Sequence, residues 1–165
     1  FITHPDGEVA AWDASRRPRI AAAIADGIAD WVAEVFVCFR HYDERVLGDA
    51  LNDVDAPISK IVRMREIARE DEYNTGFTYS NPTLRKSVMV IGKATSGQEF
   101  MNSFVHEVRH LSDDIAMANG ISLHGERVAY LSGEIAASLF DIVGLFTCPA
   151  CQSRKSPTIR KIGHF

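Results

Sequence analysis

The sequence has few cysteines, no excess of basic residues and no long apolar run. Three cysteines in 165 residues are too few for a disulfide framework. The formal net charge of -4 gives no positive field that would attract a phosphate backbone, so nucleic acid is not expected as a partner. Because no apolar run is long enough to cross a bilayer, no membrane association is expected either.

The composition is that of a folded globular protein, with 46% hydrophobic and 24% charged residues. The chain length suits one domain covering residues 1–165, and no internal repeat or linker divides it. Residues 1–19 lack the apolar segment of a secretory signal peptide, which makes the cytoplasm the expected location.

Hydrophobic spacing predicts a mostly helical first half. Apolar residues recur every three or four positions from Ile20 to Phe39, as in an amphipathic helix. Two shorter helices are expected over residues 43–51 and 57–70. Turn residues and a β-branched run between Phe77 and Gly92 predict one or two strands, so the expected fold class is α+β with a small sheet.

A long helix is predicted between a start signal at Ser96 and a stop signal at Asn119-Gly120. Ser96 and Glu99 have the spacing of a capping box, in which the serine accepts from the backbone of Glu99 and the Glu99 side chain reaches back. The apolar face of this helix comprises Phe100, Phe104, Val108, Leu111 and Ile115. A final helix is predicted to begin between Ser122 and Glu126 and to extend to about Ile142.

The long helix carries the stretch His106-Glu107-Val108-Arg109-His110. Residues four apart on a helix are separated by roughly 40° around the axis and one turn along it, so both imidazoles can meet at one point. Zinc binds neutral imidazole nitrogens, and a catalytic zinc usually keeps one position for water. Glu107 would lie beside that water and could take its proton as a general base. The alternative is an ordinary solvated helix face, and the donor set also suits other divalent metals.

This arrangement resembles the zincin metallopeptidases, in which a strand beside the cleft precedes an H-E-x-x-H helix and a later helix supplies the third zinc ligand. The resemblance covers about residues 76–139 and implies a compact zincin-like domain. The third nearby histidine of metzincins is absent after His110, so a glutamate ligand, as in gluzincin-like enzymes, is expected. Glu126 opens an E-x-x-A pattern similar to that of the third-ligand helix in compact zincins, and Glu134 is the alternative.

Several residues near the motif are candidates for supporting roles. Tyr130 lies one turn beyond Glu126, where its hydroxyl could stabilise an oxyanion, with plain packing as the alternative. The larger gluzincins have an acidic residue at this offset, whereas this sequence has tyrosine and so departs from their pattern. Asp113 or Asp114 could orient a ligating histidine or could be surface charges. His124 could be a ligand, a proton donor or a solvated loop residue.

The run from Ser87 to Ile91 is the expected edge of the cleft, where an extended peptide could pair with the sheet as an added strand. This interpretation depends on the resemblance as much as on the residues. It predicts a peptide or protein substrate.

The tail from residue 147 to residue 165 is expected to be basic and irregular, and it contains the motif Cys148-Pro149-Ala150-Cys151. Such a pair can be free thiols, half of a second metal site or a disulfide, and Cys38 and His164 are the available partners for a second site. Cys38 is more simply explained as a core residue.

Two functions are consistent with these patterns. The first is a zinc-dependent metallopeptidase in which His106, His110 and Glu126 bind Zn²⁺ and Glu107 activates water. The alternative is a non-catalytic zincin-fold binding module with a structural zinc. Glu107 favours the enzyme, because a structural zinc has no need of a carboxylate at that position.

Overall fold

A four-stranded mixed sheet forms the centre of the computed structural model, which describes residues 30–37, 44–69, 76–92, 94–140, 143 and 158–163. Within these residues the strands are β1 (Val32–Val37), β2 (Phe77–Asn81), β3 (Lys86–Ile91) and β4 (Thr158–Gly163). Their order across the sheet is β2-β3-β1-β4. The central strands β1 and β3 are parallel, and β2 and β4 are antiparallel to their neighbours.

Helices cover both faces of the sheet. Among the described residues they are α1 (Glu44–Asp53), α2 (Ile58–Arg69), α3 (Gly97–Ala118) and α4 (Glu126–Ser138). One core joins the sheet to α3 and α4, and a second core joins it to α1 and α2. The α+β expectation is therefore confirmed, as are the four helices and two strands predicted after residue 42. None of the helices in this part of the chain is long and apolar enough to cross a membrane.

The helix predicted from Ile20 to Phe39 is wrong over residues 32–37, which form β1; residues 20–29, 38 and 39 lie outside the described residues. β1 is covered on both faces, because Ala33, Val35 and Val37 belong to the core with α3 while Phe36 belongs to the core with α1. A strand buried on both sides is apolar at most positions. Its residues therefore also fit the spacing of a helix over one or two turns.

The irregular tail predicted for residues 147–165 is wrong over residues 158–163, which form β4. This strand pairs antiparallel with β1, with Thr158 opposite Val37 and Gly163 opposite Val32. A short basic segment has no strong strand signal of its own, and its partner lies more than 100 residues earlier in the sequence. The cysteines at positions 38, 148 and 151 lie outside the described residues, so the alternatives for them stay open.

Helix α3 begins and ends at the predicted signals. Ser96 Oγ accepts from the backbone N–H of Glu99 at 3.1 Å. The Glu99 carboxylate does not bond the Ser96 N–H, as a full capping box would require. It accepts instead from the backbone N–H and the hydroxyl of Thr95 at 2.6 and 2.7 Å, which lowers the pKa of Glu99. At the other end Gly120 has φ +65°, the left-handed conformation that glycine adopts freely.

Candidate metal centre

The two motif histidines converge on the exposed side of α3. His106 Nε2 and His110 Nε2 lie 3.0 Å apart, and the rings are nearly perpendicular at 82°. Two nitrogens bound to one zinc at about 2.0–2.1 Å lie roughly 3.3 Å apart in a tetrahedral site. Only a small movement of the rings would therefore let both nitrogens bind one ion. The predicted meeting of the two imidazoles is confirmed.

The side chain of Glu107, a residue of α3, is packed against β2 and is only 2% exposed. The Thr78 hydroxyl, on β2, donates to Glu107 Oε2 at 2.8 Å. Burial raises the pKa of the Glu107 carboxyl, while the bond from Thr78 and the nearby imidazoles of His106 and His110 act in the opposite direction. The carboxylate is thus held in one orientation by the sheet, within electrostatic reach of both histidines.

The space for Glu107 depends on Gly76, the residue immediately before β2. A Cβ at position 76 would lie 2.5 Å from Glu107 Cγ and 2.5 Å from the Val90 carbonyl oxygen. Real Cβ atoms essentially never come so close to a backbone atom. Only glycine therefore lets the start of β2 pass directly beside the carboxylate.

Gly76→Ala is expected to lower the free energy of unfolding by about 1–3 kcal/mol, since the added methyl group overpacks a site bounded by backbone. Urea unfolding of the metal-free protein measures this loss. Gly48→Ala in α1 is the matched control, because a Cβ there meets nothing within 4 Å. The control should instead gain about 0.5–1 kcal/mol from the helix propensity of alanine. Equal stability of Gly76→Ala and the unaltered protein would contradict the close approach.

The third ligand is the part of the predicted site that the structure does not assemble. Glu126 is the first residue of α4 and is exposed, and Glu134 is half-buried two turns further along. No group of three or more His, Cys, Asp or Glu side chains able to hold a metal occurs among the described residues. The two imidazoles therefore meet, and Glu107 lies within their electrostatic influence, but neither Glu126 nor Glu134 completes a metal-binding group with them.

The sequence offered four further candidates for supporting roles, which are Tyr130, Asp113, Asp114 and His124. Tyr130 is 66% exposed on α4, so its ring is not part of the core. Asp113 Oδ2 accepts from Arg109 Nε at 2.9 Å rather than from a histidine. Asp114 is half-buried on α3, and His124 is exposed in the loop before α4. None of these four side chains has a hydrogen bond to His106 or His110 among the described residues.

The predicted cleft edge is wrong. Residues 87–91 belong to β3, whose two sides are occupied by β2 and β1. β2 and β4 are the two edge strands among the described residues, and β2 is the one that carries Thr78. A β-branched run is typical of a buried central strand. Residues 87–91 therefore belong to the interior of the sheet rather than to its edge.

Sequence reasoning missed Thr78 and Gly76 as the neighbours of Glu107. Thr78 lies 29 positions before Glu107, and nothing in a threonine-containing strand indicates a bond to a distant carboxylate. Gly76 gave only a turn signal beside Asn74 and Thr75. A glycine directly before an edge strand could have suggested a close backbone approach, but its neighbour is decided by the fold.

Comparison with known proteins does not place the chain in a family. No protein-family model, curated protein or solved structure matches it significantly. The interpretation of the site therefore depends on its own residues and their geometry.

Proposed function

We propose that this chain is a zinc-dependent peptidase with a compact zincin-like fold. The observation that supports it best is the pair of imidazole nitrogens 3.0 Å apart, beside a buried carboxylate oriented by Thr78. A solvated surface pair would not require Glu107 to be buried next to it. The buried carboxylate costs free energy of folding, and a catalytic use explains why it is there.

The two imidazole nitrogens that meet on α3 are donors that suit zinc. His106 and His110 would bind through Nε2, and Glu126 is the proposed third ligand on the following helix. Zinc, when bound, supplies Lewis-acid activation of a water molecule and of the scissile carbonyl. Glu107 would serve as the general base that takes a proton from the attacking water and would return it to the leaving amine.

The free edge of β2 is the proposed place for the substrate. An extended peptide could pair with the N–H and C=O groups on the side of β2 that no described strand occupies, which gives affinity without demanding a particular sequence. β2 also carries the hydroxyl that holds Glu107, so a peptide aligned on this strand would pass close to the carboxylate. The same edge thus positions the base and the substrate.

The metal content of the purified protein tests this proposal. Elemental mass spectrometry is expected to find about one zinc per chain, and His106→Ala is expected to lose it because one of the two assembled ligands is gone. His124→Ala is the matched control, an exposed loop histidine that should leave the zinc content unchanged. A protein that takes up no zinc after reconstitution, or a His106→Ala variant that keeps it, would refute the proposed site.

A further inference from the structure

Thr78 contacts both the side chain and the backbone of Glu107. The Thr78 hydroxyl donates to Glu107 Oε2 at 2.8 Å, and the same hydroxyl oxygen lies 3.4 Å from the Glu107 carbonyl oxygen. Among the described residues no other group donates a hydrogen bond to this carboxylate. One carboxylate oxygen is therefore held by β2, and the other, Oε1, is left to accept from a water molecule.

The direction of the backbone groups in β3 follows from one hydrogen bond at its start. The Val32 N–H donates to the Arg85 carbonyl oxygen at 3.0 Å, so this carbonyl points toward β1. The N–H of Lys86 belongs to the same planar trans peptide unit and points the opposite way, toward β2. Because backbone groups alternate in direction along a strand, Lys86 and every second residue after it direct their N–H and C=O groups to β2.

The backbone of Thr78 consequently points to the side of β2 that no described strand occupies. The β2 residues opposite these β3 positions are Asn81, Tyr79 and Phe77. These three therefore exchange hydrogen bonds with β3, whereas Thr78, between two of them, directs its N–H and C=O the other way. Thr78 thus presents its backbone to an added peptide strand and its hydroxyl to Glu107.

We propose, on the basis of the peptidase activity proposed above, that Thr78 is a positioning residue that fixes Glu107 relative to a peptide paired with β2. Its hydroxyl acts only through Glu107, by holding the carboxylate in one orientation before substrate binds. Its backbone gives the peptide main chain a place on the same residue. The base and the peptide therefore share one register, and such fixed geometry favours proton transfer from an attacking water.

Steady-state kinetics on a peptide that the unaltered protein cleaves test this role. Thr78→Val keeps the shape of the side chain but removes the donor, so kcat is expected to fall about 10–100-fold. KM should change no more than a few-fold, because the backbone of β2 is retained. Thr78→Ser should restore most of kcat, because it returns the hydroxyl. Thr83→Val is the matched control, the same substitution at an exposed threonine between β2 and β3, and should leave both constants unchanged.

Urea unfolding of the metal-free variants tests the contact independently of activity. Thr78→Val should lower the urea midpoint, because the buried carboxylate loses its donor. This loss should vanish in a Glu107→Met background, which keeps an unbranched side chain without the carboxylate. An unchanged kcat in Thr78→Val, a Thr78→Ser variant as slow as Thr78→Val, or an undiminished loss of stability in the Glu107→Met background would each overturn this inference alone. An unaltered protein that binds no zinc or cleaves no peptide would overturn the proposed function, and this inference with it.

Discussion

Glu107→Gln is expected to keep its zinc and to lose peptidase activity by roughly 10²–10⁴-fold, the usual contribution of a general base. The substitution is nearly isosteric, and the glutamine carbonyl oxygen can accept the bond that Thr78 Oγ1 now donates to Glu107 Oε2. What is lost is the ability to take a proton. Because the side chain is buried, the neutral amide should also cost less desolvation than the carboxylate, so the fold should not suffer.

The measurement is hydrolysis of a mixed peptide library followed by mass spectrometry, with zinc content determined on the same samples. Glu66→Gln is the control, an exposed glutamate on α2 at the opposite face of the sheet. It should retain full activity. If the unaltered protein binds zinc but cleaves nothing, the non-catalytic binding module becomes the better interpretation. If Glu107→Gln cleaves as fast as the unaltered protein, Glu107 is not the base.

Glu126→Ala is expected to weaken zinc binding by more than about 100-fold, whereas Glu134→Ala should weaken it no more than a few-fold. Loss of a ligand should exceed the roughly 10–100-fold effect of losing a group that only orients one. Glu126 is chosen because it opens the E-x-x-A pattern that is similar to the third-ligand helix of compact zincins, and Glu134 is the alternative on the same helix.

Both variants can be compared by the same chelator competition, and each glutamate serves as the control for the other. The opposite ranking, with Glu134→Ala losing zinc and Glu126→Ala keeping it, would reassign the third ligand. Equal and small effects of both would indicate that the site uses only the two imidazoles from the described residues.

The helix that carries the motif could be predicted almost completely from the sequence. Its start at Ser96, its end at Asn119-Gly120 and the meeting of His106 with His110 all depend on contacts between residues three or four apart. Such contacts are present in the sequence pattern itself, because an α-helix repeats every 3.6 residues. The same spacing rule failed for residues 32–37, since a strand buried on both faces is as uniformly apolar as a buried helix.

The tertiary structure alone decided how the motif is surrounded. Pairing of β4 with β1 joins residues more than 100 positions apart, and the order of strands makes β2 an edge strand and β3 a central one. That order brings Thr78 and Gly76 to Glu107, so a glutamate that the sequence places on a helix becomes a buried, oriented carboxylate. The sequence by itself determined that the imidazoles of His106 and His110 meet, because their spacing on one helix is local. Which groups hold Glu107 depends on contacts between distant segments, and these exist only once the sheet and the helices have packed.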